Sequence, residues 1–279
     1  MFASVALAQP GLAACRPPHD KYPFCDTTLS TDARIKDLVG RIHDEDKPNL
    51  LTARGRGFDH GRQALPYIGV PSYYWGSNCI HSSMFSNCTS AGRCSTSFPS
   101  GPSTAATFDR ELVRSLANVV GVETRAGFNL KWVDNGKNGA GLECWGPVIN
   151  INRDPRWGRN GEGSAEDPYL VGEMGVAWAR GMQEGEDPNH VLVAATMKHF
   201  VANSVEGSWN PDGSWGGKIN RHTIDVNITK QNLADFYWPA FRESIRHGKA
   251  KGIMCSYNSV NGVPACLDPL QRAARGISM

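Results

Sequence analysis

No apolar run in these 279 residues approaches the length a membrane-spanning helix needs, so the sequence offers no candidate span. Charge of one sign is also missing. The balance is +2, too small to point to nucleic acid or an anionic membrane surface as partner. No G-x-G-x-x-G follows a candidate strand and no Walker loop occurs, which removes the common nucleotide-dependent enzymes. None of the eight cysteines forms a C-x-x-C pair, so a zinc site has no support. The N-terminus, with Ala6-Leu7-Ala8 as a small-x-small step, has no basic region and only a short apolar stretch. It reads either as the remnant of a clipped signal peptide or as a frayed tail.

What is present is an ordinary globular composition, 40% apolar and 20% charged, enough for one large domain or two small ones. Eight cysteines are many for a reducing compartment, and Cys15 with Cys25, Cys88 with Cys94, and Cys255 with Cys266 are local pairs able to close disulfides. Two sequons, Asn87-Cys88-Thr89 and Asn227-Ile228-Thr229, agree with a secreted protein. Residues 1–28, with four prolines from Pro10 to Pro23, read as a leader or arm. A helix follows, capped by Ser30 or Thr31, with Ile35, Leu38, Val39 and Ile42 on one face. A second helix starts at the cap Asp109, and Leu112, Leu116, Val119, Val120 and Val122 are its expected buried face. Helices alternating with short apolar runs predict a parallel β/α organisation.

The most informative stretch is Gly146–Met174. Val148, Ile149 and Ile151 suit a buried strand. A dense run of charges follows, Arg153, Asp154, Arg156, Arg159, Glu162, Glu166 and Asp167, and Asp167-Pro168 is an N-cap before a proline at the first helical position. Asp154 pairs most simply with a neighbouring arginine to shape the loop. Downstream, His190–Phe200 reads as a strand ending in Lys198-His199, and a basic pair where a buried strand exits is costly unless polar groups await it. Residues 205–222 form a loop rich in Gly, Asn and Trp that either walls a site or is a surface excursion. Thr229 opens a further helix that Pro239 should kink and Gly248 should end.

The run N-R-D-P-R-W-G-R followed by E-D-P resembles the signature loop of glycoside hydrolase family 3, exo-acting β-glycosidases of the β-xylosidase and β-glucosidase kind. The resemblance extends over roughly residues 28–270. It implies an α/β fold of the (β/α)8 TIM-barrel type, incomplete, with about six of its eight β/α units in residues 29–279. It also implies hydrolysis of terminal, non-reducing β-linked xylosides or glucosides with retention, without metal or cofactor, on an oligosaccharide substrate and with no nucleic-acid or membrane partner. By the same resemblance Arg159, Lys198 and His199 line the sugar subsite. Read alone, Lys198-His199 would be a surface pair; the upstream motif reverses that reading. Asn78, Trp75 and Tyr257 are further candidates. Trp75 and His81 match a family segment that usually runs W-(S/N)-E-A-L-H-G, but here Asn78 stands at the acidic position and Ser82 at the glycine. A neutral amide makes a weaker bond to a hydroxyl than a carboxylate does. Tyr257 and Asn258 could equally close a loop by hydrogen bonding. V-A-N-S-V-E-G after the strand differs from the K-H-F-P-G-H-G of the bacterial N-acetylglucosaminidase branch.

Retaining glycosidases use two carboxyl groups about 5–5.5 Å apart. The family's nucleophile is an Asp in a Ser-Asp motif on a later strand, and no Ser-Asp dipeptide occurs in these residues. No catalytic residue is therefore assigned within the sequence. The nucleophile is expected beyond Met279 and the acid/base in a further domain, since Glu162 and Glu166 on one loop do not flank a sugar. Without two of its units a barrel would expose parallel edges. The competing expectation is a carbohydrate-binding remnant without hydrolytic activity.

Overall fold

The computed structural model describes residues 15–51, 61–62, 64–71, 73–83, 94–129, 141–210, 212 and 214–269. The Ala6-Leu7-Ala8 step, the Asn87 sequon and Cys88 of the expected Cys88–Cys94 pair lie outside them. The chain divides into two compact units, Met1–Gly76 and Ser77–Met279.

In the first unit Ser30 caps helix α1 (Thr31–Arg41) by accepting the Ala33 backbone N–H at 3.3 Å, as its sequence position predicts. Ile35 and Val39 on its apolar face stand exposed. Cys15–Cys25 closes as a disulfide beside it. A short helix α2 (Lys47–Leu51) and the two-residue strands β1 (Gly61–Arg62) and β2 (Tyr73–Tyr74), paired antiparallel, complete the unit.

The second unit is built on a four-stranded sheet. Its edge strand is β3 (Gly76–Ser77), where the chain passes from one unit to the next. The chain then runs through helices α3 (Gly101–Ala105) and α4 (Arg110–Asn129) to β4 (Glu143–Val148), α5 (Pro168–Gln183) and β5 (Ala194–Phe200). Two hairpin strands, β6 (Ser208–Trp209) and β7 (Trp215–Gly216), and a short β8 (Asp225–Val226) come next. After them lie α6 (Lys230–Asn232), a π-helical turn at Leu233–Tyr237, α7 (Pro239–Arg246), β9 (Gly252–Cys255), β10 (Ser259–Val260) and β11 (Val263–Pro264). The sheet order is β3-β4-β5-β9, with β4, β5 and β9 parallel, so the expected parallel β/α arrangement of a partial barrel is present. The described residues account for four strands of that sheet.

Helices α4, α5 and α7 share one core with the strands: Val113, Ala117 and Val120, Val171, Met174 and Trp178, and Ala240 and Phe241 are all buried in it. Two elements differ from the sequence expectation. The buried face of α4 is Val113, Ala117, Val120, Gly121 and Thr124, whereas Leu112, Val119 and Val122 are exposed. The reason is close packing: a Cβ on Gly121 would stand 2.6 Å from the Met182 carbonyl of α5, so small residues face the neighbouring helix. The strand expected over Val148–Ile151 ends at Val148, although Ile149 and Ile151 remain buried. Asp167 caps α5 through the Leu170 N–H at 2.6 Å, as read from sequence. The helix opened by Thr229 is interrupted before Pro239 by the π turn, which accommodates the missing proline N–H.

Cys255–Cys266 pairs as expected. A third disulfide, Cys79–Cys144, joins the segment after β3 to β4 across 65 residues and was not foreseen.

Candidate functional site

Because β4, β5 and β9 are parallel, their carboxyl ends lie side by side, the position where α/β enzymes carry polar side chains. The loop after β4 (149–167), the last residues of β5 and the turn after β9 meet there. Asn150 sets the geometry. Its Oδ1 accepts the His199 backbone N–H at 2.8 Å and its Nδ2 donates to the His199 carbonyl at 2.9 Å, so one buried amide continues the ladder where β4 has ended. The Lys198–His199 and Phe200–Val201 peptide bonds are cis.

Lys198 and His199 are consecutive and both buried, at 2% and 1% exposure. Lys198 Nζ donates to Asn78 Oδ1 and lies 3.9 Å from Glu162 Oε2. Burial, helped by the Arg159 charge and opposed by Glu162 and Glu206, pushes its ammonium down to about 7. Burial, with the charges of Arg159, Lys198 and Arg221, pushes His199 down to about 2, so its imidazole is neutral. The tautomer follows from its neighbours. Arg159 Nη1, 3.2 Å from Nε2, can only donate, so Nε2 accepts and the ring proton sits on Nδ1. Asn203 Nδ2 lies 3.2 Å from Nδ1; with the proton on Nδ1, the amide accepts it through Oδ1 once its two ends are exchanged.

Arg159 stands at the end of a tightly turned loop. Asp154 bonds Arg156 through its backbone N–H at 2.8 Å and its guanidinium at 2.6 and 2.9 Å, the local pairing read from sequence. Those bonds hold the Asp154 carboxyl well below the usual range. Asn160 Nδ2 donates back to the Asp154 carbonyl at 2.7 Å. Arg159 then donates twice to Glu162, at 2.7 and 2.6 Å, a bidentate pair that leaves Nη1 turned toward His199 and Glu206. Burial is the largest single influence and opposes its positive charge, but the Glu162 bonds and the charges of Glu162 and Glu206 together outweigh it and raise its pKa.

Glu206, on the loop after β5, accepts the Trp157 indole N–H at 3.0 Å and lies 3.5 Å from Arg221 Nη1 and 4.0 Å from Arg159 Nη1. Arg221 lies over the Tyr257 ring, 4.1 Å from its centroid, and the His199 and His222 rings are 5.7 and 5.1 Å from that same ring. Asn258 closes its loop by donating to the Val201 and Ser259 carbonyls at 3.2 and 3.1 Å.

Of the residues singled out by sequence, Arg159, Lys198, His199, Asn78 and Tyr257 come together. Trp75 belongs to the first unit, where it is 36% exposed. Glu206, Arg221 and Asn203 carry the remaining polar contacts and were not identified. A single Glu inside a Gly- and Asn-rich loop gives no periodic or motif signal; the one cue was that this loop follows a basic pair at a strand end. Among the described residues no group of three or more potential metal ligands comes together. Chemically, the cluster is a set of fixed donors around a neutral imidazole, with both nearby carboxylates engaged by cations. Such a set suits a neutral, hydroxyl-rich ligand.

The chain is 38% identical over 277 residues to β-D-xylosidase 3 of Arabidopsis thaliana, covering 96% of this chain and 32% of that protein. It is 36% identical to β-xylosidase/α-L-arabinofuranosidase 2 of Medicago sativa subsp. varia, again over 96% of this chain and 32% of the relative. The chain thus spans about a third of the length of the curated relatives it matches. Among solved structures, a GH3 exo-β-xylosidase (XlnD) in complex with a xylobiose aziridine activity-based probe superposes with a TM-score of 0.73. The identity is 31%, over 92% of this chain and 31% of that one. The β-glucosidase of Kluyveromyces marxianus in complex with glucose aligns with a TM-score of 0.63 at 27% identity, over 82% of this chain and 23% of that one. The model of the glycosyl hydrolase family 3 N-terminal domain matches residues 86–271, and the chain belongs to that family.

Proposed function

We propose that this chain carries the sugar-binding pocket of an enzyme that hydrolyses terminal, non-reducing β-linked sugars, xylosides or glucosides, with residues 29–279 forming its barrel domain and 1–28 a leader or arm. The observation that carries the reading is the buried pair Lys198-His199, held at the carboxyl end of β5 with Arg159 in hydrogen-bond reach. Burying a lysine and a histidine side by side is unfavourable unless polar groups meet them, and perturbed, buried groups gathered at a strand end are characteristic of a ligand site. On this reading Lys198 supplies a charged donor, Arg159 a fixed fork and the neutral His199 a directional partner to sugar hydroxyls. Asn78 and Tyr257 border the same site, and Trp75 is a further candidate by its place in the sequence. The relatives named as β-xylosidases and the structure bearing a xylobiose probe support the substrate class. The three disulfides among the described residues support an oxidising, extracellular setting.

A second reading, sugar binding without hydrolysis by these residues, is favoured by one observation: Glu162 and Glu206 are both engaged by cations at the site. Titrating the chain with xylose and with glucose, followed by tryptophan fluorescence and calorimetry, tests the common core of both. Saturable binding in the millimolar range that Lys198→Ala weakens about tenfold or more is expected, as for loss of a charged hydrogen bond. Binding unchanged by Lys198→Ala, or no binding at all, overturns the assignment. Parallel assay of an aryl β-xyloside separates the two readings.

A further inference from the structure

Glu206 is an acidic side chain, 13% exposed, set among basic groups from several segments. Its Oε1 accepts the indole N–H of the buried Trp157 at 3.0 Å and lies 4.0 Å from Arg159 Nη1, the atom that also approaches His199 Nε2. Its Oε2 faces Arg221 Nη1 at 3.5 Å, and the Arg221 backbone N–H donates to the Glu206 carbonyl at 3.1 Å. Glu206 and Arg221 therefore pair through backbone and side chain at the neck of the β6–β7 hairpin. Arg221 lies on the Tyr257 ring, so one carboxylate connects the loop after β4, the end of β5 and the turn after β9.

We infer that Glu206 is a positioning residue whose charge aims the Arg159 and Arg221 guanidinium groups and offsets the positive charge gathered at Lys198. The inference rests on the sugar-site reading above for its consequence, but not for its geometry. Glu162 takes the Arg159 fork on both oxygens and lies beside Lys198, whereas Glu206 is the carboxylate that faces both Arg159 and Arg221. The groups facing Lys198 are Asn78, Arg159 and Glu162, its neighbour His199, and Glu206, with Arg221 and Tyr257 beyond. Lys198, Arg159 and Arg221 already outnumber Glu162 and Glu206, so removing one carboxylate deepens the positive excess and further disfavours the Lys198 ammonium.

Glu206→Gln separates charge from shape, since the amide oxygen can still accept the Trp157 indole N–H. The protonation midpoint of Lys198 is read in the full chain without sugar, from the 13Cε shift of labelled lysine, assigned with Lys198→Arg. In Glu206→Gln the midpoint should fall by about half a pH unit or more, and Glu206→Asp should retain most of the wild-type value. Xylose affinity should fall about tenfold in Glu206→Gln, with its alkaline limb displaced to lower pH. An unmoved Lys198 midpoint overturns the inference. So does failure of both Glu206→Gln and Glu206→Ala to fold while Glu206→Asp folds, since Glu206 would then be a stability element. A wild-type chain that binds no xylose would count against the sugar-site reading alone, because the Lys198 midpoint judges Glu206 independently.

Discussion

Lys198 and His199 both release protons more readily in the folded chain than in an unfolded one, at about 7 against 10.5 and about 2 against 6.5. With both values depressed, the unfolded chain binds more protons, and stability rises with pH between each pair of values. His199 thus contributes an acid sensitivity: from pH 7 to about pH 5 its burial should cost on the order of 2 kcal/mol as the unfolded imidazole takes up its proton. Urea unfolding of wild type and His199→Gln at the two pH values checks this, with a smaller acid loss expected in the variant. Equal losses would mean that the imidazole is protonated in the fold. Lys198 acts in the same direction on the alkaline side, from about 7 upward.

Helices α4 and α5 owe their closeness to glycine. A Cβ at Gly181 would stand 2.3 Å from the Arg114 carbonyl and 2.6 Å from the Ala117 Cβ, so backbone rather than a movable side chain blocks it. Gly181→Ala should cost about 1–3 kcal/mol through overpacking. Gly40 in α1 has nothing within 4 Å of its Cβ position, and there alanine should stabilise by about 0.5–1 kcal/mol. Thermal unfolding of the two variants should give shifts of opposite sign. The same crossing explains why counting apolar residues chose the wrong stripe of α4: Leu112, Val119 and Val122 are larger, but Ala117 and Gly121 are what fit against α5.

Across the whole molecule the site depends on segments far apart in sequence. Asn78 reaches Lys198 across 120 positions, and the Cys79–Cys144 disulfide fastens the residue next to Asn78 onto β4. Closing a 65-residue loop should contribute on the order of 2–4 kcal/mol by restricting the unfolded chain. Replacing both cysteines with serine should lower the denaturation midpoint accordingly, and xylose affinity should fall with it because Asn78 loses its anchor. Affinity retained at full strength would show that Asn78 is positioned independently of the disulfide.

The sequence by itself determined the local features: the Asp167 and Thr229 caps and the break at Pro239, and it narrowed the first cap to Ser30 or Thr31, the Asp154 partner to a neighbouring arginine and two disulfides to plausible local pairs, because each depends on neighbours a few positions away. The family signature also brought Arg159, Lys198 and His199 into view before any contact between them was known. Only the tertiary structure decided which face of α4 is buried, that Cys79 meets Cys144, and that Glu206 and Arg221 join the site. Those outcomes depend on which strand ends lie side by side and how closely two helices approach. A carboxylate on an irregular loop acquires its meaning from the cations that folding brings around it.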